Sequence, residues 1–321
     1  MTAADRIRIG LVGAGSIAQV AELPALSARD DVTIAGLVTS TQESAQRNLE
    51  RWPIEQAYPD VDAMLGEARL DALLVLTRKD DHTRFVAAGF RAGLDVFCEK
   101  PLASSLEDAQ DMADLADKAN RLLMVGFNRR YAEVYARARE ELGSEVRFCV
   151  AQKNRPGSEY RATLENAIHM VDLLRWFCGE AEEVTAHAIA PDPYEEVGTM
   201  ALIRFDTGAI GSLVAARCAG EWDERLDAYG GLTSARVTAP DAVAITRAGQ
   251  TCLTEMRPCA MGWAQVTRTM GFGPEIDHFV DCVRDRRQPL TNGHDAVRTQ
   301  ALMDWIIREA KLPTEERENG S

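Results

Sequence analysis

Two short segments of this 321-residue chain hold residue types that could do chemistry together. The first is Gly13-Ala14-Gly15-Ser16-Ile17-Ala18, directly after the apolar run Ile7–Val12. In such a turn the first glycine permits the tight bend and the second lets the backbone approach a pyrophosphate. The small third residue, here Ala18, lets helix and strand pack closely. Backbone N–H groups at the helix start then face the phosphates. The second segment is Glu99-Lys100-Pro101, after the run Leu94–Cys98. A lysine at the end of a later strand of the same sheet sits at the carboxyl edge, where the nicotinamide ring of a bound dinucleotide also lies. A phosphate cradle and a reactive amine on one sheet predict redox chemistry.

The elements that must position these residues are legible as far as about residue 125. Apolar runs at Ile7–Val12, Val32–Val38, Ala72–Leu76, Val96–Cys98 and Leu122–Val125 alternate with helical stretches, which predicts a doubly wound parallel sheet. Ser104-Ser105-Leu106-Glu107-Asp108 has a capping-box pattern ahead of a helix over 109–119, so the loop holding Lys100 is anchored. Beyond that point, helices around 131–141 and 167–177 precede strand-like runs at 147–152, 184–190, 199–205, 210–216, 225–229 and 242–246. Turns are expected at Asp206-Thr207-Gly208 and Gly230-Gly231, and helices return at 274–284 and 295–310. The expectation is an α/β chain with a dinucleotide-binding domain over 1–125. An α+β domain with a large, mostly antiparallel sheet follows over 126–321, available for substrate binding and self-association.

A net charge of −14 disfavours nucleic-acid and anionic-membrane partners and favours small-molecule ligands. Seven cysteines without zinc-like spacing read as reduced thiols, and the five histidines with scattered carboxylates offer no metal set. Residues 1–6 lack the apolar stretch of a secretory leader, and no aliphatic run is long enough to span a bilayer, so a cytoplasmic location is expected.

Taken in order, Gly13–Ala18, Thr77 with His82, Glu99-Lys100-Pro101-Leu102-Ala103, Gly126-Phe127-Asn128-Arg129-Arg130-Tyr131, His169 with Asp172, and Glu275-Ile276-Asp277-His278-Phe279 resemble the Gfo/Idh/MocA family. That family comprises relatives of glucose-fructose oxidoreductase and inositol dehydrogenase. The resemblance covers nearly the whole chain. It implies a Rossmann domain, a sheet domain that assembles homodimers or homotetramers, and redox chemistry on sugars, nucleotide sugars or cyclitols. It places Lys100 and His169 at the catalytic positions. Where the family often has aspartate four residues before that histidine, this chain has Glu165, one methylene longer.

Oxidising a carbinol requires hydride loss to the nicotinamide and proton loss from the hydroxyl, so a base and an alkoxide stabiliser must meet that oxygen. Histidine, with an unperturbed pKa near about 6.5, is the natural proton carrier; lysine, near about 10.4, needs burial or the nicotinamide charge to act as base. Glu165, and equally Asp172, stand at helical spacing from His169 and could orient it or touch substrate. Thr77, His82 and Glu99 fall on the cofactor side. Asn128, Arg129 and Tyr131 are candidate substrate contacts, with Arg155, Tyr160 and Trp263 as further ones. Arg130 reads equally as a solvated or an interdomain charge. The second strand ends in Thr39-Ser40-Thr41 with no acid to hold a ribose 2′-hydroxyl, and Arg47 is the nearest base, so NADP(H) is favoured over NAD(H). Two other readings fit the same scaffold: a cofactor-assisted glycosidase, and a regulatory binding protein like the galactose-regulon repressor that the family includes. Retention of Lys100 and His169 speaks against the second.

Overall fold

The structure is a computed structural model describing residues 6–157, 166–192, 194–256 and 266–314; Tyr160, Glu165 and Trp263 lie outside the described residues. In chain order the elements begin β1 (Ile7–Val12), α1 (Ser16–Val20), α2 (Glu22–Ser27), β2 (Val32–Val38), α3 (Gln42–Arg51), α4 (Val61–Glu67) and β3 (Ala72–Val75). They continue α5 (His82–Arg91), β4 (Asp95–Cys98), α6 (Leu106–Ala119), β5 (Leu123–Val125), α7 (Glu133–Leu142), β6 (Val146–Pro156) and α8 (Ile168–Cys178). Next come β7 (Ala181–Ile189), β8 (Gly198–Phe205), β9 (Ile210–Ala216), β10 (Cys218–Gly230), β11 (Thr233–Thr238), β12 (Ala242–Arg247) and β13 (Gln250–Glu255). The last are α9 (Val266–Thr269), α10 (Phe272–Asp285) and α11 (Gly293–Glu309). The chain divides into two units, 1–128 with 266–297 and 129–265 with 298–321. The first unit thus draws on a C-terminal stretch as well as the N-terminal one.

In the first unit the strands pair in parallel in the order β2-β1-β3-β4-β5. Their apolar runs are continuous because both sheet faces are covered: Ile9, Leu11, Leu73, Leu74, Val96 and Phe97 are fully buried. Each contributes roughly 1.5–3 kcal/mol of transfer free energy. The strand order turns back between β1 and β3, and in such sheets ligands bind beyond the carboxyl ends of the strands at that point. Residues after β1, β3 and β4 share this edge. Ser105 caps α6, its Oγ accepting the Asp108 N–H at 3.0 Å and donating to the Asp108 carboxylate at 2.7 Å. The C-terminal stretch is fastened to the sheet where Val125 N–H donates to Thr291 O (2.8 Å) and the Thr291 hydroxyl donates to Val125 O (2.7 Å).

The second unit is built on a sheet ordered β13-β12-β11-β10-β6-β9-β8-β7, antiparallel except for the parallel β6–β9 pair. Helices α7 and α8 pack on it. Along β8 the side chains alternate, Ala201, Ile203 and Phe205 buried and Met200 and Leu202 exposed, the period of a sheet covered on one face. Strands β11 and β13 are absent from the sequence reading. β13 is exposed almost throughout and has no apolar alternation to read, while of the inward positions of β11, Thr233, Ala235 and Val237, only the last is strongly hydrophobic.

Candidate active site

The glycine turn is held by its own geometry. Gly13 has φ +94°, its N–H donates to Val38 O at 2.9 Å, and a Cβ there would stand 2.7 Å from Leu76 O. A side chain is excluded both by conformation and by the backbone of the neighbouring strand end. Gly15 differs: a Cβ would meet nothing within 4 Å, and the residue starts α1 with no side-chain cap. The open space leaves the backbone accessible from outside, as a pyrophosphate site needs. Ser16 and Ile17 are exposed on the same turn, while Ala18 is buried. A recess of about 680 Å³ opens between this turn and α3, lined by Gly15, Ser16, Gln19, Ser44, Arg47 and Arg51 among others. At the end of β2 the Thr39 hydroxyl donates to Thr41 O (2.9 Å), and the Thr41 hydroxyl caps α3 by accepting the Ser44 N–H (3.1 Å). Ser40 is exposed, and Arg47 pairs with Glu43 at 2.7 Å. These residues fit the phosphates and ribose of a dinucleotide.

After β3, the Thr77 hydroxyl donates to Arg78 O (3.3 Å). His82 is buried, with Nδ1 3.0 Å from Pro101 O and Nε2 3.1 Å from Thr77 O. Its ring thus ties the loop after β3 to the loop that carries Lys100. Lys100 is half-buried directly beyond β4, and its backbone N–H donates to Glu99 Oε2 at 3.1 Å. Glu99 packs against Gly126, where a Cβ would lie 3.1 Å from Glu99 Oε1. Asn128 is buried and donates from Nδ2 to Met270 O at 2.9 Å.

In the second unit, Arg129 is spent on an internal ion pair. Its Nε and Nη2 both donate to the Glu224 carboxylate at 2.9 Å, the Tyr135 hydroxyl donates at 2.9 Å, and Lys153 Nζ lies 3.3 Å away. Burial pushes the Glu224 carboxyl up, but the Arg129 and Lys153 charges outweigh it and hold it well below the usual carboxylate range. Burial, followed by the Glu224 charge, raises the Tyr135 phenol.

A second buried chain runs behind α8. Arg130 grips Asp172 through two bonds (2.8 and 2.5 Å), Asp172 accepts from Thr299 (3.0 Å), and Thr299 accepts from Arg175 (2.6 Å). Arg130 is therefore a buried structural charge, and Asp172, fully buried, anchors the helix. Of the candidate substrate contacts, Arg129 and Asp172 make these bonds inside the unit. His169 lies in the first turn of α8 and is 5% exposed; Tyr131 and Arg155 are half-buried.

Glu224, Lys153 and Tyr135 were not singled out from sequence. The signal was present in phase: Lys153 shares the inward face of β6 with Cys149 and Ala151, and Glu224 shares that of β10 with Leu226 and Ala228. The two charges are register partners across the strand pair. Among the described residues no group of three His, Cys, Asp or Glu side chains could hold a metal.

The first-unit geometry defines a dinucleotide-binding oxidoreductase fold, and comparison with known proteins agrees. The model described as "Oxidoreductase family, NAD-binding Rossmann fold" matches residues 7–127, and that of the GFO/IDH/MocA C-terminal domain matches residues 149–236. YceM of Salmonella typhimurium is 30% identical over 318 residues, covering 95% of this chain and 98% of that protein. Myo-inositol 2-dehydrogenase of Thermotoga maritima is 28% identical over 246 residues, 70% of this chain and 73% of that enzyme. Among solved structures, an oxidoreductase from Agrobacterium radiobacter in complex with NAD+, L-tartaric acid and magnesium superposes with a TM-score of 0.86 at 20% identity, covering 95% of this chain and 96% of that one. The chain belongs to the Gfo/Idh/MocA oxidoreductase family.

Proposed function

We propose that this oxidoreductase transfers hydride between a nicotinamide dinucleotide and a sugar-, nucleotide-sugar- or cyclitol-like alcohol/ketone pair, with Lys100 and His169 as its acid–base groups. The single observation carrying this reading is Lys100: it stands beyond the carboxyl end of β4, on the edge shared with the glycine turn, with its backbone fixed by Glu99. When bound, the dinucleotide supplies the hydride acceptor or donor. Gly13, Gly15, Ser16 and the hydroxyls of Thr39, Ser40 and Thr41 would hold it. His169 moves the substrate hydroxyl proton, and Lys100 stabilises the developing alkoxide or returns the proton in reduction. The name of the Thermotoga relative supports a cyclitol-like substrate.

NADP(H) is favoured over NAD(H). The support is the absence of an acid at the end of β2 and the presence of Arg47 and Arg51 on the wall of the recess beside the glycine turn. A carboxylate at Thr39 would repel a 2′-phosphate; a hydroxyl does not. Self-association through the second unit's sheet is supported by the outward side chains Phe148, Met200, Leu202, Ile210 and Leu253, all exposed, with Phe148 and Ile210 in register on adjacent strands. Sedimentation at micromolar concentration is expected to show a dimer or tetramer, and a monomer alone would remove that part. The described cysteines Cys98, Cys149, Cys178, Cys218, Cys252 and Cys282 are all free, which supports a cytoplasmic location. No described helix is long and apolar enough to cross a membrane.

The test is a screen of sugars, nucleotide sugars and cyclitols for nicotinamide absorbance change, followed by Lys100→Met and His169→Asn. Each variant should keep dinucleotide affinity and lose about 10²–10⁴-fold in turnover, the share of positioned acid–base catalysis. Full turnover in both would refute the assignment.

A further inference from the structure

Glu22 is the first residue of α2, one short helix on from the glycine turn, and is 1% exposed. Neither of its carboxyl oxygens receives a hydrogen bond from any described residue, and Glu99 Oε1 is likewise buried without a donor. The two carboxyl groups lie within hydrogen-bonding reach of each other. The other Glu99 oxygen, Oε2, accepts the Lys100 backbone N–H at 3.1 Å. Besides β2 and α1, which carry no ionisable side chain, α2 packs against α9 and α10, whose ionisable side chains include Arg268 of α9 and Glu275, Asp277, His278, Asp281 and Arg284 of α10. Asp277 and Asp281 are taken by Arg29, Arg284 by Asp31 and Asp281, and His278 by the Leu290 N–H. None of these six donates to Glu22.

Two ionised carboxylates facing each other without a donor would carry both desolvation and like-charge repulsion. One proton removes both costs and joins the unsatisfied oxygens of the two residues in a short charge-assisted O–H···O bond. Burial, and then the Glu99 charge, push the Glu22 carboxyl well above the ordinary carboxylate range, so Glu22 is the partner that keeps the proton.

We propose that Glu22 is a positioning residue: held as a neutral carboxylic acid, it donates its proton to Glu99 and thereby fixes the carboxylate that orients the Lys100 backbone. The line of contacts is Glu22 O–H to Glu99 Oε1, then Lys100 N–H to Glu99 Oε2. Glu22 touches no reacting atom in this arrangement. The inference rests on the reading of Lys100 as an acid–base group only for its effect on turnover; the protonation of Glu22 stands apart from it.

The first measurement uses the ligand-free full chain. Infrared difference spectra of wild type against Glu22→Gln at neutral pH should show a protonated-carboxyl C=O band that the variant lacks. Absence of that band overturns the proposal whatever the enzyme's activity. The second compares two variants in turnover. Glu22→Gln retains an N–H donor to Glu99 and should stay within about threefold of wild type. Glu22→Leu retains bulk without the donor and should lose about tenfold in kcat, the worth of one hydrogen bond to a charged group, with dinucleotide affinity within about threefold. Wild-type kcat in Glu22→Leu refutes the positioning role. If the leucine variant fails to fold, the infrared result still decides whether the proton is there, and a kcat loss of about tenfold in Glu22→Gln refutes the donor role. A band that persists while Lys100→Met keeps full turnover would sink the reading of Lys100 and leave the Glu22–Glu99 proton in place.

Discussion

Glu224→Ala is the sharpest test of how the second unit is held together. The Glu224 side chain is 0% exposed and receives three hydrogen bonds, two from Arg129 and one from Tyr135, with Lys153 at 3.3 Å. Hydrogen bonds to a charged group are worth roughly 1.5–3 kcal/mol each, so the three would sum to about 4.5–9 kcal/mol if carboxylate desolvation were free. Desolvation offsets part of that sum. The variant, however, leaves the Arg129 and Lys153 side chains, 8% and 6% exposed, without this carboxylate. Removing one member of a buried ion pair costs about 3–5 kcal/mol, which is the expected loss here. At about 2–4 °C per kcal/mol for a unit of this size, the melting point should fall by roughly 6–20 °C. Urea unfolding and calorimetry read it directly. Replacing the cluster by Arg129→Met, Lys153→Met and Glu224→Leu together should recover much of the loss, because the two cations are removed along with the carboxylate they face. A Glu224→Ala protein within about 1 kcal/mol of wild type would refute the reasoning.

The two glycines of the first turn should respond differently. Gly13→Ala meets both the φ of +94° and the Leu76 carbonyl and is expected to lose at least about 1–3 kcal/mol of stability. Gly15→Ala, with nothing within 4 Å of its Cβ, should unfold like wild type yet bind dinucleotide about tenfold or more weakly, as titration would show. Thr39→Asp should move preference from NADP(H) towards NAD(H), measured as the ratio of dissociation constants; a wild type that already binds NAD(H) tenfold more tightly would contradict the missing-acid inference. Stability should carry two carboxyl signatures of opposite sign. Glu224, depressed in the folded state, stabilises above its ordinary value of about 4.5, and that contribution is lost as pH falls below it. Glu22, raised in the folded state, loses its contribution as pH rises from about 4.5, so the urea midpoint of Glu22→Gln relative to wild type should climb with pH through that range. A pH-independent difference between the two proteins would refute the second signature.

What the sequence determined by itself is local or periodic. The glycine turn, the parallel strands, the capped helix after Lys100 and the family all follow from residues close together in the chain, because β-strand burial and helix caps leave period and end signals. Elements without such signals, β11 and β13, were missed. Tertiary structure decided the partners of the charges. Arg129 and Glu224 are separated by 95 positions, Arg130 and Asp172 by 42, and nothing local distinguishes a buried arginine in an ion pair from one that awaits a ligand. The same holds for Glu22: in the sequence it is an acid at the start of a helix, where carboxylates are common. Only folding brings it against Glu99, and only burial makes it keep a proton.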